Sequence, residues 1–103
     1  MHMIFLRFGP KRAEASQWMA AHKEWIGQGI ADGVFLFAGS LDDGQGGAVL
    51  ATGEAREQLA ARVSRDPFVE HGVVTADIVA IKPSIVAPVL HAVVAAARAA
   101  PPT

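Results

Sequence analysis

Two residues far apart in the chain, His22 and Asp66, are of the types that move protons. An imidazole oriented by a carboxylate is a recurring acid/base device, because histidine titrates near neutrality and the carboxylate stabilises its charged form. His22 falls on the apolar stripe of a helix-like stretch, and Asp66 opens the segment Asp66-Pro67-Phe68. In the catalytic reading, neutral His22 takes a proton from a substrate carbon or hydroxyl while Asp66 holds the other ring nitrogen. Both residues also have structural readings. A histidine on an apolar helix face can be a packed core residue with one hydrogen bond. Aspartate before proline suits a helix N-cap with proline at the first helical position. Capping and catalysis are compatible if one carboxylate oxygen caps while the other faces the histidine.

Other side chains could complete such a site. Trp18 and Trp25 lie seven residues apart, two helical turns, and so share one side of the first helix. Such a stripe is core material, and beside His22 it could also wall an apolar pocket for a planar ring. Arg7 is a charge in apolar company with Met3 and Phe5. It is expected to pair with Asp77 across the sheet or at an interface, and its alternative role is to bind a substrate carboxylate.

The elements that must position these residues follow from the apolar period. Met3 to Phe8 is nearly all apolar and is broken by Gly9-Pro10, which predicts a buried strand. From Ala13 to about Ala31, Trp18, Met19, His22, Ile26 and Ile30 recur at helical spacing, and Asp32-Gly33 ends the helix. Val34 to Gly39 and Ala48 to Thr52, joined by a glycine-rich turn, form a hairpin. A second helix begins near Thr52 or Gly53, carries Leu59 and Val63, and stops before Pro67. Pro67 to His71 makes one short turn, and Val73 to Ile81 is a long strand.

The order β-α-β-β-α-β is that of an α+β, ferredoxin-like sandwich, a four-stranded antiparallel sheet with both helices on one face. Yet the first strand carries Ile4, Leu6 and Phe8 on one side and Met3 and Phe5 on the other. The last strand repeats this two-sided pattern. Two helices cover one face only, so the other apolar face predicts a homodimer packed sheet to sheet. Pro88 to Arg98 predicts a C-terminal helix, ended by Pro101-Pro102, that packs on the body or on the partner subunit.

Composition narrows the function. The chain has 103 residues, the size of one domain, with a core domain over 1–83 and an extension over 84–103. Its net charge of −1 gives no long-range attraction for phosphate backbones or acidic membranes, so nucleic acid and membrane are not expected partners. It has no cysteine, which excludes disulfides, thiolate metal sites and a cysteine nucleophile. The N-terminus lacks the pattern of a secretory signal, and the chain reads as cytoplasmic. The glycines of Gly44 to Gly47 lack the strand-to-helix context of a nucleotide loop, and Asp42-Asp43 lacks the ligand alternation of a calcium loop. Glu70, His71 and His91 do not have the spacing of a zinc motif. No motif calls for a metal or a cofactor.

Several words of the sequence together resemble the YCII-related family of the dimeric α/β-barrel superfamily. They are the helix with His22 followed by Gly29 and Gly33, the strand ending at Ala38-Gly39, and the loop Asp43-Gly44-Gln45-Gly46-Gly47. The Asp66-Pro67-Phe68 turn and the closing Ile81-Lys82-Pro83 complete the set. The resemblance runs from about Met3 to Pro83. It implies a dimeric α/β barrel and a His-Asp active site on His22 and Asp66. It also implies kinship with enzymes of elimination or isomerisation acting on breakdown products of aromatic compounds. The chain departs from the family pattern at Ser40, where proline is common after the Ala-Gly pair, so Ser40 either offers a hydroxyl to the pocket or turns the chain. It departs again in the tail from Ser84 to Thr103.

Two function classes follow. One is a small lyase or isomerase without a tightly bound cofactor, acting through His22 and Asp66 on an apolar cyclic substrate. The other is a non-catalytic module that binds a small-molecule ligand or assembles as a dimer.

Overall fold

Strand β1 (His2–Phe8) is the axis of the molecule, because its alternating side chains leave both edges free to pair. It hydrogen-bonds to β3 (Gly46–Ala51) on one side and to β4 (Val74–Ala80) on the other, both antiparallel. The hairpin strand β2 (Phe35–Ser40) adds outside β3, giving the sheet order β2-β3-β1-β4 of a ferredoxin-like fold. The computed structural model describes residues 1–98. The expected Pro101-Pro102 helix end lies outside those residues.

Helix α1 (Ala15–Ala31) connects β1 to β2. The sequence places its start near Ala13, but Arg12–Glu14 forms a tighter 3-10 turn, with Arg12 and Glu14 amides bonded to the Gly9 and Lys11 carbonyls. Helix α2 (Arg56–Ser64) begins later than the expected Thr52 or Gly53. Gly53 has φ +85°, a left-handed conformation that no α-helix includes, and the Gln58 side chain instead accepts from the Ala55 N–H at the true start. A single-turn helix, α3 (Pro67–Glu70), follows α2.

The helices cover one face of the sheet. Ile4, Leu6, Phe35, Val49 and Ala51 meet Leu59 and Val63 of α2 and Phe68 of α3 in a closed apolar core. On the opposite face the register sets Met3 beside Leu50 and Val79, and Leu50 beside Phe37, which is 54% exposed. Arg7 stands on this same open face, opposite Thr75, while Asp77 stands opposite Phe5. The Arg7–Asp77 ion pair expected across the sheet is not formed within the chain; the Arg7 guanidinium lies over the Phe5 ring at 5.4 Å.

Arg62 locks α2 to the end of α1. Its Nε donates to Glu54 at 2.8 Å and its Nη1 to Asp32, the residue that caps α1, at 2.9 Å. The guanidinium, and after it the Gln28 amide, hold the Asp32 carboxyl below the ordinary carboxylate range. The Arg62 carbonyl also accepts the Trp25 indole N–H at 3.0 Å. These contacts fix the face of α1 that looks toward the α2–α3 junction.

After β4 the Ile81 amide bonds back to the Met1 carbonyl, and a 3-10 turn (Pro88–Leu90) leads into α4 (His91–Arg98). Val94 is buried beside Ser84 and Val86, so this extension folds on itself, while Ile85 is fully exposed.

The two glycines near the C-terminal end of α1 make opposite demands. A Cβ at Gly29 would overlap the Phe35 ring, whereas one at Gly27 would meet open space. Gly29→Ala is expected to lower stability by about 1–3 kcal/mol through overpacking. Gly27→Ala is expected to raise it by up to about 1 kcal/mol through helix propensity. Urea denaturation of the two variants checks both signs.

Candidate active site

The His22 and Asp66 side chains meet because α3 needs a cap. Asp66 is extended (φ −61°, ψ 124°) just ahead of Pro67, and its Oδ1 accepts the Phe68 N–H at 3.1 Å. From α1, His22 Nδ1 reaches the same Oδ1 at 2.7 Å. The sequence reading divides these tasks between two oxygens. The structure gives both to one, since Oδ1 lies within hydrogen-bond distance of the Phe68 amide on α3 and of the His22 ring on α1. Oδ2 is buried and has no partner among the described residues.

A carboxylate oxygen can only accept, so the 2.7 Å contact places a proton on Nδ1. In the neutral ring the lone pair then belongs to Nε2. Nε2 makes no hydrogen bond among the described residues and is not among the sealed, unpartnered polar atoms. The ring is held flat by Phe68, whose ring lies parallel to it at 4.0 Å, 7° between planes. Phe68 therefore supplies both the capped amide and the stacking surface.

His22 forms part of the wall of a cavity of about 360 Å³. That is more than twice the ~150 Å³ of an apolar cavity able to hold a benzene ring. Met19, His22, Lys23 and Ile26 of α1 form one wall, Leu6 and Phe8 of β1 the floor, and Ala38 to Ser40 with Gly44, Gly46 and Gly47 the far side. Most of this surface is carbon. The glycine-rich loop closes tightly on β1, since a Cβ at Gly46 (φ +149°) would run into the Leu6 carbonyl. Arg12 pins the loop by donating to the Gly44 carbonyl at 2.9 Å and to Gln45 Oε1 at 3.3 Å, with its guanidinium over the Phe8 ring.

Of the residues singled out in the sequence, His22 and Ser40 line the cavity and Asp66 stands behind His22. Trp18, Trp25 and Arg7 do not line it. Trp18 stacks on His71 at 3.6 Å, and Trp25 meets the Phe35 ring edge-on at 5.0 Å, so both serve packing around the core. Arg7 is on the far face of the sheet. Sequence reasoning missed Lys23, Met19 and Ile26 as wall residues and Arg12 as the loop's anchor. The first three, with His22, form a helical i, i+3, i+4, i+7 stripe that could have signalled them. Among the described residues no three His, Asp or Glu side chains gather to hold a metal ion. No helix among them is long and apolar enough to cross a membrane.

Comparison with known proteins gives three results. The model of the YCII-related domain matches residues 1–83. The fold is similar to that of the 5-chloro-2-hydroxyhydroquinone dehydrochlorinase of Burkholderia phenoliruptrix, solved in complex with 2,5-dihydroxybenzoquinone. The TM-score is 0.67 at 18% identity, over 81% of this chain and 94% of the other. At that identity the similarity is one of fold. No curated protein matches the chain in sequence.

Asp66→Ala removes the cap and strands the His22 N–H, and is expected to cost about 2–4 kcal/mol. Asp66→Asn keeps a capping oxygen and is expected to lose less than half as much. Urea denaturation of both variants separates the carboxylate's structural contribution from its charge.

Proposed function

The chain belongs to the YCII-related domain family, and from that premise we propose that it is a small acid/base enzyme, a lyase or isomerase. Its substrate is an apolar ring, derived from an aromatic compound. The observation that carries this reading is the 2.7 Å bond from His22 Nδ1 to Asp66 at the wall of a ring-sized cavity. Nε2 of neutral His22 takes a proton from a ring carbon or hydroxyl. The released electron pair moves into the ring and either expels a leaving group or accepts a proton elsewhere. Asp66 holds the imidazolium that results. Such proton transfers need no cofactor. Ser40 offers its hydroxyl to the bound ring. The dehydrochlorinase of similar fold acts on a hydroxylated, chlorinated ring, which is the kind of substrate to try first.

The domain over 1–83 is proposed to act as a homodimer, its open sheet face packed on that of a second copy, with the extension over 84–103 lying on its own body or on the partner. Exposed Phe37 and Val79, beside Met3, Phe5 and Leu50, support this, since an uncovered sheet face this apolar is unfavourable in water.

His22→Gln keeps an N–H for Asp66 but has no basic nitrogen. It is expected to lower kcat/KM about 10²- to 10⁴-fold on the best substrate from a panel of chlorinated and unchlorinated hydroxyhydroquinones. Turnover equal to the parent's would contradict the reading and leave the cavity as a simple ligand site. Light scattering at micromolar concentration is expected to give twice the 10.8 kDa chain mass, and the Phe37→Asp variant a smaller particle. A monomeric parent protein would rule out the sheet-to-sheet dimer.

A further inference from the structure

Resting on that reading of the cavity, we propose that the ring it accepts carries an anionic oxygen group, a carboxylate or an ionised phenol or enol, which docks on the Lys23 ammonium. His22 and Lys23 are the two titratable side chains in the cavity wall, and they are consecutive on α1. The rest of the wall is aliphatic, aromatic or glycine, apart from Ser40.

Other cations near the core have occupations. Arg12 is held by the glycine-rich loop and the Phe8 ring, and Arg62 by Glu54 and Asp32. Arg7 is on the opposite face of the sheet. Among the described residues Lys23 makes no hydrogen bond or ion pair.

Charge balance gives that ammonium a task. Asp66 is fully buried behind His22, and among the described residues no lysine or arginine pairs with it. An anion entering the cavity meets this negative charge in a setting of weak solvent screening. Lys23, at the exposed edge of the wall, offsets that repulsion and attracts the anion. The need grows during reaction. When His22 Nε2 takes a proton, the substrate gains one negative charge, and a nearby ammonium favours that product of proton transfer over the ground state. Lys23 thereby selects the substrate class and fixes which edge of the ring faces His22.

The test uses two probes of one shape, benzoate and its neutral isostere benzamide, titrated by NMR into the full-length parent, Lys23→Met and Lys23→Arg. The parent is expected to bind benzoate about fivefold or more tighter than benzamide. Lys23→Met is expected to erase that preference without changing benzamide affinity, and Lys23→Arg to keep it. Raising the salt concentration should shrink the preference. Equal affinity of the parent for both probes, or a preference that survives in Lys23→Met, overturns the anion proposal. If amide shifts at Ser40, Gly47 and Phe68 then still report binding, the cavity itself stands as a ring site. If neither probe shifts those amides, the anion proposal falls together with the reading of the cavity.

Discussion

A single carboxylate oxygen, Asp66 Oδ1, is the point on which the arrangement depends. It closes the N-terminus of α3 through the Phe68 amide and orients His22 through Nδ1. A fully buried aspartate is unfavourable unless hydrogen bonds replace its water, and here two N–H groups from different elements do so at Oδ1. The capped amide belongs to Phe68, whose ring also lies flat on His22, so the cap sets the ring's plane as well as its hydrogen bond. Local backbone chemistry and site geometry are one construction. Pro67 makes it economical, having no N–H that needs a partner at the first helical position.

The distance between α1 and the α2–α3 junction must be held for that oxygen to be shared. Arg62 does this, joining Glu54 and Asp32 and receiving the Trp25 indole N–H on its carbonyl. In the same part of α1, Gly29 sets the height of the helix over the sheet, since only a residue without a side chain lets α1 settle on the Phe35 ring. The cavity is what remains where α1 no longer touches the sheet. Its far side is the β2–β3 hairpin and loop, kept in place by Arg12 and by the tight passage of Gly46 over Leu6. The apolar wall and the paired imidazole are thus products of the same helix, facing the same gap.

Much of this was legible in the amino-acid order. The two-sided apolar pattern of β1 and β4, the Asp32-Gly33 helix end, the hairpin and the Asp66-Pro67 cap all follow from local periodicity and turn chemistry, and the structure has them. What periodicity could not decide was which stripe of α1 meets which neighbour. His22 belongs both to the stripe of Trp18 and Trp25 and to that of Met19, Lys23 and Ile26. The tryptophans are the larger rings, and spacing leaves them free to be core material or pocket wall; the α2 side of the helix takes Trp25, through Arg62 and Phe35, and the core reading is the one the contacts match. Strand register was likewise hidden. Arg7 and Asp77 share a face, but pairing sets each opposite another residue, Thr75 and Phe5. Lys23 shares the helical spacing of Met19, His22 and Ile26, but a single charge beside an apolar stripe does not by itself mark a cavity mouth.

The central claim is that Asp66 fixes the Nδ1–H form of His22 and leaves Nε2 as the basic nitrogen facing the cavity. Nitrogen-15 NMR of the histidine side chains in the intact protein, above the pH at which the rings carry charge, tests it most directly. The account predicts that His22 shows a protonated, hydrogen-bonded Nδ1 and an unprotonated Nε2, and that Asp66→Asn redistributes the proton between them. A ring protonated at Nε2 in the parent protein, unaltered by Asp66→Asn, would contradict it.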